Sequence, residues 1–446
     1  MRVIGLNNLA LDLVALDFSS GHAPSNGGPT KTSRALAIIQ LAARDAYALV
    51  TGAYAPKLPG LPPPPYGLGQ GDDEGQGAAI GAGIRAACLL YPDFAQVIAE
   101  RSPGLTAGTD PIAVMYGSEI GALWVASRHD DGSSLPQLDT LFSPEPGRYR
   151  PDPVSQKPSL GRAWGRVTPF VIGSVAADAP LGPPPALTSR GYAESYDDVF
   201  VNGRDNIARR GPEFQEHAAI GLFWAYDGTN LLGTPPRLYN QIVVATQEFI
   251  ALAAKDQLNV LAAINAAMAD AAIAAWHWKY TYDLWRPVTA IREASVGFGP
   301  TGKGDGNTHR KHPGDPFWLP LGAPNSNPFP GPVAGAPGMN FTPNFPAYPS
   351  GHATIGTACF DAFAGLVRKR PRDIIVSKFA SDEFNGSTRD NEGVVRPRWE
   401  QTFSLEQAIE QNKISRIYLG VHWSFDATGG AEVGKAIAIK TVAAFL

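Results

Sequence analysis

Apolar residues recur at helical spacing along most of this chain. Near the N-terminus, Ile4, Leu9, Leu11, Val14 and Leu16 trace one packed face. The pattern next predicts a helix over 34–49, with Thr32 and Ser33 as its cap and Ile38, Leu41, Ala42, Ala46 and Leu49 on its apolar side. Further helices are predicted over 78–90, 112–128, 240–254, 259–285, 355–366, 405–419 and 431–445. No segment sustains the period-two alternation of a half-buried strand, and no repeat is visible. Proline and glycine fill the connections, and 57–77, with its proline run at 62–65, reads as an extended loop. The expected fold class is all-α: two packed four-helix-type bundles wrapped by long Pro/Gly-rich loops. We expect one domain over 1–446, with an N-terminal helical half (1–215) and a C-terminal half (216–446) that carries the chemistry.

Composition narrows the partners. The 446 residues are 44% hydrophobic and 17% charged, ordinary for a globular chain, and the net charge of -4 supplies no basic field for nucleic acid or an anionic membrane. Anion recognition must therefore come from local clustering. Asn7, Asn8 and Asp12 interrupt the apolar N-terminal segment and no cleavage pattern follows, so it reads as part of the fold. Neither a signal peptide nor a transmembrane run is recognised, and the compartment stays open. Cys88 and Cys359, the only cysteines, exclude a disulfide framework and read as small buried hydrophobes.

Three short stretches hold the candidate chemistry. Lys279 and Arg286-Pro287 form K-x6-R-P, with the proline ending a helix so that both cations project from its end. Pro349-Ser350-Gly351-His352 opens a helical pattern; Ser350 is a natural N-cap, and Gly351 lets backbone amides approach an anion. Ser415-Arg416, Gly420, His422 and Asp426 form the third, with Asp426 a partner for an imidazole or a cation. Each alone has a bland reading as a solvated face, a plain cap or a core histidine. Together, Lys279, Arg286 and Arg416 would repel one another by roughly 4 kcal/mol per pair at 4 Å unless an oxyanion sits among them. Other strings carry less. The run 297–304 imitates a phosphate loop but lacks its Ser or Thr, and His309 and His312 flank two cations, poor company for a metal. His22, His129 and His217 have no ligand-spaced companions, and His277 should point away from Lys279.

With these motifs the chain resembles the vanadium-dependent haloperoxidases, which share their core with type-2 phosphatidic-acid phosphatases and bacterial acid phosphatases. The likeness is to the fungal-type chloroperoxidases and extends through Trp224-Ala225-Tyr226-Asp227-Gly228, Gly233-Thr234-Pro235-Pro236-Arg237, Gly314-Asp315-Pro316-Phe317-Trp318 and Phe345-Pro346-Ala347-Tyr348-Pro349. The resemblance implies a vanadate cofactor, with phosphate able to take the site in its absence. It implies that Lys279, Arg286, Ser350, Gly351 and Arg416 hold the equatorial oxygens and that His422 bonds the metal. His352 would be the acid–base group, Lys279 would also polarise the peroxide, Asp227 would pair with a pocket arginine, and Asp426 would steady the histidine. Substrates would be hydrogen peroxide, a halide and small organic acceptors, with a homo-oligomer left open.

Trp276 and Phe345 match the aromatic positions of chloroperoxidase-type members, whose rings exclude water from the halide and so favour chloride. Asn344 departs from the family's proline there, a polar amide expected to tune chloride use. The rival is an acid phosphatase with a phosphohistidine at His422 and His352 protonating the leaving alcohol. A third class, a non-catalytic oxyanion binder, has no need of His352.

Overall fold

The computed structural model describes residues 2–19, 23–136, 141–205, 212–328 and 339–446; His22 lies outside them. Among these the chain forms α1 (Arg2–Asp17), α2 (Gly28–Thr51), α3 (Asp72–Leu90), α4 (Ala95–Thr106), α5 (Pro111–Ser127), α6 (Val175–Asp178), α7 (Arg190–Asn202) and α8 (Pro212–Phe223). There follow α9 (Pro235–Val244), α10 (Gln247–Ile250), α11 (Ala254–Tyr282), α12 (Pro287–Glu293), α13 (Gly351–Leu366), β1 (Ile375–Phe379), β2 (Gln401–Ser404), α14 (Leu405–Tyr418) and α15 (Ser424–Phe445). The all-α expectation holds. The one antiparallel ribbon, with Ile375 opposite Ser404, was not expected: strands of five and four residues are too short to display an alternating pattern.

The long helix α11 organises the packing. Ala262, Ala263, Ala266 and Ala269 face an N-terminal core built mainly from α1, α2, α3 and α5. Ile264, Met268, Ile273 and Trp276 face a second core shared with α9, α12, α13 and α15. Its many alanines leave room for neighbours to come close. α13 meets α15 in the same way, because a Cβ at Gly434 would sit 2.4 Å from the Thr354 carbonyl oxygen. Phe360 and Phe363 of α13 are fully buried beside it, each contributing roughly 1.5–3 kcal/mol. By length and apolar character α11 alone among the described helices is able to cross a membrane, yet 94% of its most apolar window is buried within the protein.

Several boundaries differ from the sequence pattern for local reasons. The second helix starts at Gly28 rather than 34, with Pro29 in its first turn; Thr32 and Ser33 lie inside it, the Ser33 hydroxyl donating to the Thr30 carbonyl at 2.9 Å. The helix expected over 240–254 breaks, because the Thr246 side chain accepts from Phe249 N and caps a new turn. The helix expected to reach 285 ends at Tyr282, where Asp283 takes φ 52° and its N–H closes on the Lys279 carbonyl. Arg286 is therefore the N-cap of α12, not a residue of the Lys279 helix.

Side chains of the helices pin the long loops. Asp45 of α2 accepts from the amides of Lys57 and Leu58 and from the Trp124 indole, holding the start of the proline-rich loop. Asp270 of α11, fully buried, accepts from the amides of Phe170, Val171 and Ile172 at 2.6, 2.8 and 2.9 Å. Its removal strands three donors, that of Ile172 buried and those of Phe170 and Val171 partly so, at up to about 1–3 kcal/mol each. We expect Asp270→Ala to lower the unfolding free energy by at least ~3 kcal/mol, and Asp270→Asn, which keeps one acceptor oxygen, by less; urea titrations monitored by circular dichroism measure both.

Candidate functional site

Three helix starts converge on one floor. Arg286 caps α12, Ser350 caps α13 by accepting from Ala353 N at 3.4 Å, and His422 precedes the start of α15. The Ser350 amide donates to the Asp426 carbonyl at 2.9 Å, tying α13 to α15 at the site. Gly420 makes the turn that delivers His422, with φ 70° and so little space that a Cβ would lie 2.2 Å from the Gly203 carbonyl. The sequence-predicted residues from all three stretches are thus brought together.

Lys279, Arg286 and Arg416 are all buried. Lys279 Nζ donates to the carbonyls of Pro346 and Ala347 at 2.8 and 2.9 Å, so one of its three N–H groups is left over. Burial, then Arg286 and Arg416, pulls this ammonium well below its usual range, against Asp426. Arg286 gives Nε to Phe345 O, and Nη1 to Val421 O and His422 Nε2; Nη2 has no partner. Burial lowers it to about 10. Arg416 forms a two-pronged pair with Asp227, both contacts at 2.9 Å, and leaves Nε unpartnered.

The hydrogen bonds fix both histidine tautomers. A guanidinium only donates, so Arg286 Nη1 at 2.9 Å makes His422 Nε2 the lone-pair nitrogen. Nδ1–H then donates to Asp426 Oδ2 at 2.8 Å, an oxygen that also accepts from Trp423 N. Burial and the surrounding cations hold His422 well below its ordinary range, while burial lifts Asp426 to about 7. His352 Nε2 donates to Ala225 O at 2.8 Å, which leaves Nδ1 as an acceptor. Burial first, then Arg416, lowers His352 to about 3.

A cavity of about 360 Å³ opens above this floor, lined in part by Trp276, Phe345, Gly351, His352, Arg416 and His422. The Trp276 and Phe345 rings lie 4.6 Å apart, and Phe345 sits 5.1 Å from Lys279 Nζ and 5.0 Å from Arg286 Cζ. Asn344 also lines the cavity; its side-chain amide donates to Pro158 O and its carbonyl accepts from Leu160 N.

Sequence reasoning passed over Tyr239 and Asn412, which both donate to the His352 carbonyl, at 3.2 and 2.8 Å, and set that turn's position. It also missed the 158–160 loop, whose Leu160 carbonyl receives the Trp276 indole N–H at 3.1 Å. Neither carries a local signal. The remaining sequence candidates lie elsewhere: His312 stacks on Phe200, His217 on Tyr418, and the 297–304 run closes a turn through Gly297 N and Gly302 O. His277 is not among the cavity-lining residues.

The comparisons with known proteins follow this geometry. The family model of the VCPO second helical-bundle domain matches residues 259–445. A vanadium chloroperoxidase of Curvularia inaequalis is 30% identical over 498 aligned positions that span 91% of this chain and 76% of that protein. The chain belongs to the vanadium haloperoxidase family. Among solved structures of vanadium haloperoxidases, a bacterial vanadium-dependent iodoperoxidase matches 99% of this chain and 95% of its own with TM-score 0.70 at 19% identity. A holo-type bacterial vanadium-dependent chloroperoxidase matches 96% and 94% with TM-score 0.65 at 18% identity. At those identities both are likenesses of fold.

In this chain, the His352 shift carries a sign that stability measurements read. Its folded value of about 3 lies below the roughly 6.5 of an unfolded histidine, so the unfolded chain takes up the extra proton between these values. The contribution is complete above about pH 6.5 and is lost as pH falls toward 3. We expect His352→Gln to lose stability less steeply than wild type between pH 6.5 and pH 4, roughly the limits set by these values, in urea titrations at stepped pH.

Proposed function

We propose that this chain is a vanadate-dependent haloperoxidase that oxidises chloride or bromide with hydrogen peroxide to hypohalous acid or an equivalent halogenating species, which then halogenates organic acceptors. The observation that carries the reading is the set of donors left over on the buried floor. Arg286 Nη2 and Arg416 Nε have no partner, one N–H of a charged Lys279 is spare, and in their midst the His422 Nε2 lone pair accepts from Arg286 Nη1, a contact that a ligand would replace. Ser350 O and Oγ serve the amides of Thr354 and Ala353, leaving those of Gly351 and His352 free of intrahelical partners at the positive end of α13. This donor set fits a tetrahedral oxyanion with a nitrogen donor beside it.

Lys279, Arg286, Arg416, the Ser350 hydroxyl and the Gly351 amide would hold the oxygens of vanadate, and His422 Nε2 would be its protein ligand. Bound vanadate supplies a Lewis-acidic centre at which peroxide is activated for two-electron halide oxidation with no change of metal oxidation state. His352 Nδ1 takes a proton from the incoming peroxide and returns it to the departing oxygen. The third Lys279 N–H donates to the peroxide and polarises it. Asp227 fixes the Arg416 fork, and Asp426 holds the His422 tautomer so that Nε2 stays basic. Trp276 and Phe345 keep water from the halide, which matters most for chloride.

An acid phosphatase would use the same floor, with His422 as nucleophile. The family membership and the Trp276–Phe345 wall favour the peroxidase. We expect vanadate-loaded protein to oxidise bromide and chloride with peroxide, His422→Ala to lose at least about a hundredfold in kcat, and phosphomonoester turnover to be negligible beside it. Phosphatase turnover without halide oxidation at any vanadate load overturns the reading. For the halide wall, Phe345→His introduces a polar ring beside Lys279, and we expect the chloride-to-bromide rate ratio to fall by about tenfold or more in parallel initial-rate assays.

A further inference from the structure

The cavity is far larger than the reaction proposed for its floor requires. A halide is on the scale of the ~30 Å³ that water occupies, whereas small-molecule pockets begin near ~300 Å³. The volume here is about 360 Å³. Away from the oxyanion floor, its wall carries a second chemistry. Phe18 and Phe341 offer apolar rings, and two buried oxygens, Thr229 Oγ1 and Asn230 Oδ1, have no hydrogen-bond partner. Lys157 lines the same cavity, exposed, with its Nζ 4.3 Å from the centre of the Phe341 ring. Among the described residues its ammonium makes no hydrogen bond or ion pair. An oxyanion on the floor would engage Arg286 and Arg416 and leave Lys157, on which Asp152 acts electrostatically without forming an ion pair, open to a second anion.

We propose that this cavity seats the organic acceptor itself, an electron-rich aromatic ring bearing a carboxylate, with Lys157 taking the carboxylate. The ring lies against Phe18 and Phe341, and a ring hydroxyl donates to Thr229 Oγ1 or Asn230 Oδ1. The inference rests on the peroxidase reading above and adds that halogen transfer happens inside the protein. Peroxide, halide, acceptor and one proton give the halogenated ring and two waters. The peroxide O–O bond breaks as its oxygens are reduced, the halide is oxidised, and a ring C–H is exchanged for C–halogen with loss of the proton.

Binding is measured calorimetrically with 4-hydroxyphenylacetate and with its methyl ester, on protein saturated with vanadate or phosphate and without peroxide or halide. The acid should bind, and Lys157→Gln should weaken it by about tenfold, about 1.4 kcal/mol, while the ester changes by less than about twofold. Lys157→Arg should recover most of the loss, because it restores the charge. With peroxide and bromide added, the ratio of mono- to dibrominated product should differ from that given by reagent hypobromite. The proposal is overturned if the acid does not bind, if acid and ester weaken equally in Lys157→Gln, or if the product ratio equals that of free hypobromite. Absence of vanadate-dependent halide oxidation strikes the peroxidase reading instead, and the binding arms remain readable without it.

Discussion

The structure is built around a charge imbalance it cannot cancel alone. Lys279, Arg286 and Arg416 are buried together, with Asp227 and Asp426 as the carboxylates that act on them; with all five ionised and both histidines neutral, one positive charge is left over. At a few ångströms and an effective dielectric near 20, each like-charge contact costs roughly 4 kcal/mol. Carbonyls do much of the compensation: Phe345, Pro346, Ala347 and Val421 each turn an oxygen toward a cation. Those oxygens are dipoles, so the residual charge persists and the floor remains an anion receptor.

Helix placement deepens the same bias. The N-termini of α12, α13 and α15 all end at the floor, and each brings a partial positive charge of about half a unit. Bringing three helix starts together demands close backbone approach. Alanine along α11 and glycine on α15 supply it, and the Ser350–Asp426 backbone bond locks the result. Small residues remote from the chemistry are thereby the reason that the cations meet at all.

What was legible in the sequence follows from how local each signal is. The Ser350 cap, the α14 pattern and the three basic stretches rest on neighbours within a few residues, and the structure brings those stretches together. The end of α11 was misjudged because the 254–282 pattern runs on apolar through Trp285, and only the left-handed Asp283 breaks it. Asp270, Tyr239 and Asn412 were invisible for another reason. Their partners are 60 to 113 residues away, and nothing beside them in the chain announces the contact. The outer wall of the cavity, from Phe18 to Phe341, is likewise assembled from segments that only tertiary packing brings to one place.

The electrostatics also bear on when His352 becomes useful. At about 3 it is too weak a base to take a proton at neutral pH, and after burial the causes are Arg416 and, further down, Arg286. These are the same cations whose spare donors face the oxyanion position. An anion seated there offsets their field, so the charged form of His352 is penalised less and its pKa rises toward the range where proton transfer is efficient. His422 responds in the same direction, since after burial Arg286, Lys279 and Arg416 are the leading charges that depress it, but as the proposed ligand its Nε2 would then be committed to the bound group. On the proposed reading the two neighbouring imidazoles would divide the roles: the one held by Asp426 would give its lone pair to the bound group, and the one held by the Ala225 carbonyl would keep Nδ1 for protons.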